Sequence, residues 1–327
     1  MLYWKKSDLY LFECVNIKYF FYSCIVMKLS VLTWNINFIH DNWLKRVDNI
    51  NKTLQVEIEN TDIMALQEAT LPFSDALTDI HTFLKNTDLK YFHNGLLERN
   101  ILYNGIIKTF PKYKKYIYCA FEYLMNKLLW LCGWVFSSYG EIIKDIYFSH
   151  PYIFIIIQVL CPIIFFCVWA FVGMLTILNK KVKGIVKSKY IGKRSIQYID
   201  FIYNEKPIRF VNVHLPPGDN KADKGERYNE IKEIVKFCEE KDNVIIAGDF
   251  NETQDNDFYK YLKKVGYKSS CYESCNEELN TFPSDNPDKC IDYIWFKGEN
   301  IKVDSAYTFG SSDATDHKGI KAIFNIT

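Results

Sequence analysis

Residues 244–251 read Val-Ile-Ile-Ala-Gly-Asp-Phe-Asn: a short apolar run closed by a glycine, a carboxylate and an amide. A run so short and so rich in β-branched side chains has the pattern of a buried strand, and Gly-Asp-Phe-Asn is turn chemistry at its end. The same arrangement recurs along the chain. Thr33-Trp34-Asn35-Ile36-Asn37 closes the strand-like run Leu29–Asn37, Gln67-Glu68 follows Asp62–Leu66, and Asn212-Val213-His214-Leu215 closes Ile208–Leu215. Ile291-Asp292-Tyr293-Ile294 opens the run Ile291–Phe296, and Thr315-Asp316-His317 stands near the C-terminus. Polar residues at strand ends on one sheet edge face a common surface, so six dispersed segments can build one site.

Further strand-like runs are Met174–Leu178, Ser195–Tyr203 and Asn243–Ala247, and apolar residues recur at helical spacing through Trp43–Glu59 and Gly225–Lys241. This mixture predicts an α/β fold, a two-layer β-sandwich flanked by helices. Composition agrees, since 49% apolar and 24% charged residues among 327 allow a sizeable core and exclude a disordered chain. Forty Lys and Arg against 39 Asp and Glu give a net charge of +1, so a nucleic acid or acidic lipid must be met by a local patch. Ten cysteines are too dilute for a disulfide scaffold. Cys271, Cys275 and Cys290 lack a fourth ligand at zinc spacing, so the thiols read as reduced and cytosol-facing.

Two stretches depart from this pattern. Residues 1–26 read as a leader, either disordered or untranslated if Met27 is the start codon. From Pro151 to Leu178 no residue is charged, a run longer than the roughly 20 residues that cross a bilayer as a helix. Upstream, 116–136 is apolar but interrupted by Glu122 and Lys127. If the sequence on both sides of 101–171 forms one domain, both ends must lie on the same side of a membrane. The expectation is therefore an inserted apolar helical hairpin, with membrane contact through 116–136 and 151–171. Lys112, Lys114 and Lys115 precede it and Lys180, Lys181 and Lys183 follow, which places both flanks, and with them the domain over residues 27–327, in the cytosol.

The strand-end residues have the parts for hydrolysing a phosphoester. Glu68 is a hard oxygen ligand suited to Mg²⁺, and Asp249 can orient and deprotonate water. Asn35, Asn251 and His214 can donate to non-bridging oxygens. His317 needs an orienting carboxylate, which Asp292 or Asp316 could supply. Each residue alone has a plain structural use; six segments in order do not.

Taken together, N, Q-E, N-x-H-L, G-D-F-N, I-D-Y-I and D-H make the sequence resemble the endonuclease/exonuclease/phosphatase superfamily, the deoxyribonuclease-I-like hydrolases, over residues 27–327 apart from the insertion. The resemblance implies Mg²⁺- or Mn²⁺-dependent attack of water on phosphorus. By that analogy Glu68 binds the metal with Asn35 beside it and Asp316 nearby. Asp249 aligns the water, His214 and Asn251 hold the phosphate, and His317 pairs with Asp292 to stabilise the pentavalent transition state. Cys290 departs from the basic residue often found before I-D-Y, and Thr315 from the usual Ser.

The substrate stays open between nucleic acid and phospholipid. Thr33-Trp34-Asn35-Ile36, Leu66-Gln67-Glu68 and Glu226-Arg227 are similar to tyrosyl-DNA phosphodiesterases of the family, but Asn37 replaces their acid and Phe250 their Thr. Neutral sphingomyelinases are similar at G-D-x-N and D-H and work at membranes, as the insertion suggests. A catalytically inactive membrane scaffold is the third reading. The basic stretch Lys180–Arg194 suits anionic lipid as well as a nucleic-acid backbone.

Overall fold

The computed structural model describes residues 27–37, 43–70, 90–95, 172–192 and 194–327. The leader and both expected membrane segments, 116–136 and 151–171, lie outside the described residues. Among the described residues no helix is long and apolar enough to cross a membrane. The last residues of the uncharged run, Val172–Leu178, form a strand.

Among the described residues, two six-stranded sheets face each other. The first has the order β11-β12-β1-β2-β4-β3, built from β1 (Met27–Asn35), β2 (Ile63–Thr70), β3 (Lys90–Gly95), β4 (Val172–Leu178), β11 (Ile301–Phe309) and β12 (Gly319–Ile326). The second has the order β5-β6-β7-β8-β10-β9, built from β5 (Lys187–Ile191), β6 (Arg194–Tyr203), β7 (Lys206–His214), β8 (Val244–Asp249), β9 (Lys268–Ser269) and β10 (Asp292–Lys297). Helix α1 (Trp43–Ile58) covers the outer face of the first sheet. Helices α2 (Lys221–Cys238) and α3 (Asp257–Lys264) cover the second, and the short α4 (Ser270–Cys275) packs beside β11.

The layering explains the sequence pattern. Ile245 and Ala247 of β8 meet Leu29, Val31, Ile63 and Ala65 of the opposite sheet, while Val244 and Ile246 meet Ile231, Ile234 and Val235 of α2. A strand buried on both faces reads as a continuous apolar run rather than an alternating one. On the other side, Leu32, Trp34 and Ile36 pack on Ile50, Leu54 and Ile58 of α1. Each such fully buried side chain is worth roughly 1.5–3 kcal/mol of transfer free energy. Helix α2 begins at Lys221 rather than Gly225, because Asn220 Oδ1 accepts from the amides of Ala222 (2.9 Å) and Asp223 (3.0 Å) and so caps it.

Within each sheet one pair is parallel, β1 with β2 (Asn35 beside Gln67) and β7 with β8 (His214 beside Asp249). Their C-terminal ends therefore lie on one edge. The antiparallel neighbours begin there, with Asp292 opposite Asp249 and Ile320 opposite Thr33. Gly248 permits the close approach of β7 and β8, since a Cβ at its φ of +155° would lie 1.9 Å from the Val213 carbonyl oxygen.

Candidate active site

Strand ends alone do not aim side chains; local backbone irregularities do. The pairing of β2 with β4 shifts register between Leu66 and Ala69, and Glu68 within that shift has φ +50°. A bulge of this kind re-aims the side chain it carries, and a left-handed non-glycine residue costs roughly 1–2 kcal/mol. Asn37 and Asn251 take positive φ as well (34° and 50°), which asparagine tolerates better than most residues.

The residues singled out in the sequence meet on this edge. Asn35 Nδ2 donates to Glu68 Oε1 at 3.2 Å and to Asp249 Oδ2 at 2.9 Å, and Asn35 Oδ1 accepts from the Asn37 amide at 2.9 Å. Its amide therefore ties the two carboxylates together. His214 Nε2 stands 3.6 Å from Glu68 Oε1 and 3.8 Å from Asp249 Oδ2. Asp249 Oδ1 accepts from the Asn251 amide at 2.7 Å, and Asn251 Nδ2 donates to the Leu215 carbonyl at 3.0 Å. His317 Nδ1 lies 2.9 Å from Asp292 Oδ2, with the imidazole packed on Phe282 at 5.0 Å between ring centroids. Thr315 Oγ1 donates to the Asn35 carbonyl at 3.0 Å, which fastens the segment carrying Asp316 and His317 to β1.

Burial separates the ionisable groups. Burial is the largest influence on Asp249 and Asp292 adds repulsion, so its carboxyl rises to about 7. Glu68 is also raised, by burial first, against the opposing donation from Asn35. His214 falls to about 3 through burial and the nearby positive charges of Arg194 and His317, so it is neutral at neutral pH. For His317 burial works downward, yet Asp292, then Asp249 and Asp316, overcome it and raise the imidazolium to about 10.

Asp249, Asp292 and His317 also bring one ligand atom each to within 4.8 Å of one another. That set does not suit a metal, because His317 keeps its proton and its Nδ1 is committed to Asp292. A hard dication is better matched by Glu68, partly exposed at the rim, with Asp316 as a further oxygen ligand and Asn35 beside them, its amide nitrogen turned to Glu68. Of the three cysteines, Cys271 and Cys290 are buried, and Cys275 is exposed with its Sγ 3.7 Å from the Ala306 carbonyl.

Other motif residues turn out to be structural. Gln67 Nε2 donates to Asn212 Oδ1 at 2.8 Å, and Asn212 Nδ2 to Thr176 Oγ1 at 3.2 Å. Thr176 in turn donates to Gln197, whose Nε2 donates to the Met174 carbonyl at 2.7 Å. This chain of amides joins the two sheets beneath the site. The Phe250 side chain is fully buried against Phe258 and Tyr293, so it points away from the site.

Arg46 was not singled out. Its Nε donates to the Ala314 carbonyl at 2.8 Å and its Nη2 to the carbonyls of Ile36 (2.8 Å) and Asn37 (2.9 Å), joining two site loops. The signal was present: Arg46 continues the Ile50, Leu54, Ile58 stripe one turn earlier, where a buried cation needs a purpose.

Asn37 Nδ2 donates to both oxygens of Asp316 at 2.9 Å each. Asn37→Asp replaces that donation with two carboxylates in contact. The expected result is a loss of about 1–3 kcal/mol at neutral pH in EDTA, read by thermal unfolding and shrinking when Mg²⁺ is added. Equal stability of the two proteins in EDTA would contradict this account of the Asn37–Asp316 contact.

The family model described as the Endonuclease/Exonuclease/phosphatase family matches residues 32–317. Comparison with curated proteins gives no match. Among solved structures, an endonuclease/exonuclease/phosphatase from Bacteroides vulgatus is 13% identical with a TM-score of 0.59, covering 92% of this chain and 100% of that one. The humanized D. rerio TDP2 is 14% identical with a TM-score of 0.55, covering 91% of this chain and 99% of its own. D. rerio TDP2 complexed with a single-strand DNA product is 15% identical with a TM-score of 0.55, at 91% and 99% coverage. Identities this low speak for a shared fold, and the family match supplies the rest. It runs from within β1 to the histidine paired with Asp292, and on that ground the chain belongs to the endonuclease/exonuclease/phosphatase family.

Proposed function

We propose that the chain is a Mg²⁺- or Mn²⁺-dependent phosphodiesterase, associated with a membrane and with its catalytic domain in the cytosol. The observation that carries the chemistry is the convergence of Glu68, Asp249 and the His317–Asp292 pair on one edge, with protonation states pushed apart. Glu68, with Asn35 and Asp316 beside it, would hold the cation, which would supply charge neutralisation at the phosphoryl oxygens. Asp249 orients a water and takes its proton as the water oxygen bonds to phosphorus. The ester P–O bond breaks, and the leaving oxygen takes up a proton, giving an alcohol and a phosphomonoester. Neutral His214 and the Asn251 amide hold the non-bridging oxygens. The His317 imidazolium stabilises the charge that builds on the pentavalent phosphorus.

Membrane association rests on the uncharged run and its lysine flanks. A nucleic-acid substrate is the second reading, supported by the fold shared with TDP2. Phe250 no longer argues against it, because a core side chain does not read substrate. Arg227 no longer argues for it, being fully buried.

The test offers bis-p-nitrophenyl phosphate, sphingomyelin in vesicles and a 5′-phosphotyrosyl oligonucleotide to the full chain. Turnover should appear with Mg²⁺, vanish in EDTA and fall at least about 10²-fold in Asp249→Asn. Turnover that survives both EDTA and the substitution would belong to a contaminant, and no turnover of any substrate would sink the proposal.

A further inference from the structure

The segment between β11 and β12 carries Asp316 and His317 but forms neither helix nor strand. Its carbonyls are nevertheless held, five in succession, by donors from outside it. Asn49 Nδ2 of α1 donates to the Asp313 carbonyl at 3.2 Å, and Arg46 Nε, one turn earlier, to that of Ala314 at 2.8 Å. The Ser284 hydroxyl donates to the Thr315 carbonyl, and the Ser284 amide to that of Asp316 at 2.8 Å. The Trp34 indole Nε1 of β1 donates to the carbonyl of His317 itself at 3.0 Å.

Two of these donors belong to the site more closely than the others. Trp34 is fully buried, its ring set edge-on to Phe309 and so close to Gly310 that a Cβ there would come within 3.2 Å of it. It adjoins Asn35, so one strand end supplies both the amide that ties Glu68 to Asp249 and the donor that fixes His317. Arg46 is also buried, and its Nη2 reaches the Ile36 and Asn37 carbonyls while Nε holds Ala314. Its planar fork therefore spans the loop after β1 and the segment before β12. A lysine there keeps the charge, but its single nitrogen cannot reproduce a fork that bridges two loops.

We infer that Trp34 and Arg46 are positioning residues of the reaction, which set the place of the His317 imidazole relative to Asp249 by gripping the backbone that carries it. This rests on the hydrolase reading of the same site and adds two residues to it. Asp292 orients the ring through Nδ1, but a ring so oriented still shifts with its own main chain. Misplacing a reacting group by about 1 Å can cost about 10²-fold in rate. Neither residue acts by touching the substrate; both act through His317.

A double-mutant cycle on the full chain tests this, with bis-p-nitrophenyl phosphate and Mg²⁺. Trp34→Phe removes the indole N–H and keeps a ring against Phe309, and Arg46→Lys removes the fork and keeps the charge. Each is expected to lower kcat at least about tenfold, with KM moved less. On a His317→Ala background the same substitutions should lower the residual kcat by less than about twofold, because the group they place is gone. Equal losses with and without His317 would reduce both residues to supports of the fold and overturn the inference, as would an unchanged kcat in either single variant. Should Arg46→Lys fail to fold, Trp34→Phe carries the cycle alone. A readout independent of turnover is the proton resonance of His317 Nδ1–H, shared with Asp292 and recorded without metal or substrate. It should move in Trp34→Phe, and an unmoved resonance would overturn the inference. If the parent chain shows no turnover the hydrolase reading fails, and this resonance still decides whether Trp34 places the ring.

Discussion

His317→Ala lowers turnover of every phosphodiester the chain accepts by about 10²–10⁴-fold, with the fold retained. The residue lies in the segment leading into β12, and its ring rests on Phe282. Asp292 fixes the imidazole through Nδ1 and keeps it charged to about pH 10 in spite of burial. The other ring nitrogen is left to donate towards the substrate. Alanine removes that cation while Asp249 and Asp292 remain, and their repulsion then loses its main counterweight. Asp249 should hold its proton more tightly in the variant, which makes it a poorer base at neutral pH. The change should therefore appear mainly in kcat, with KM moved less, and circular dichroism should be unaltered. Because the histidine pKa is raised on folding, its contribution to stability is complete below its ordinary 6.5 and is lost as pH rises through about 10. Unfolding midpoints of parent and variant should accordingly converge at high pH. Unchanged kcat would remove His317 from the chemistry.

The sequence made the edge of strand ends legible because its chemistry is local: a buried strand followed by turn residues and a carboxylate can be read without knowing the fold. Phe250 shows the limit of that reading. Inside Gly-Asp-Phe-Asn it resembles a substrate-reading position, but alternation along the chain turns it into the core between α3 and β10. Gln67 and Asn212 belong to the same motifs as Glu68 and His214, yet they serve the contact between sheets, which no single segment encodes. The two C-terminal strands were not picked out. In β11, Lys302, Asp304 and Tyr307 are exposed on an edge strand, so apolar alternation is weak, and its register shift between Val303 and Ser305 blurs the period further. Strand β3 escaped for a related reason, since Lys-Tyr-Phe-His-Asn-Gly carries too few apolar residues to stand out.

Arg227→Met should destabilise the protein by about 3–5 kcal/mol, the largest stability effect expected of a single side chain here. Its guanidinium is fully buried within α2 and makes a paired contact with Glu252 Oε2, from Nε at 2.9 Å and Nη2 at 2.8 Å. Nη1 donates to the carbonyls of Pro216 (2.9 Å) and Gly218 (2.7 Å). One side chain thus holds both the loop after His214 and the loop after Asn251. Methionine fills much of the volume but leaves the buried Glu252 carboxylate without its cation, held only by the Asn256 side-chain amide, and leaves the Pro216 and Gly218 carbonyls without the guanidinium. At roughly 2–4 °C per kcal/mol, the melting point should fall by about 6–20 °C. Replacing both partners, Arg227→Met with Glu252→Met, removes the stranded charge and should recover much of that loss, as buried pairs exchanged for apolar ones often do. Activity should not recover with it. The loop carbonyls remain unheld, so His214 and Asn251 lose their shared footing, and turnover should stay depressed in a protein that melts near the parental temperature. Recovery of both together would mean that Arg227 matters only as the partner of a buried charge, and that the loops keep their shape without it.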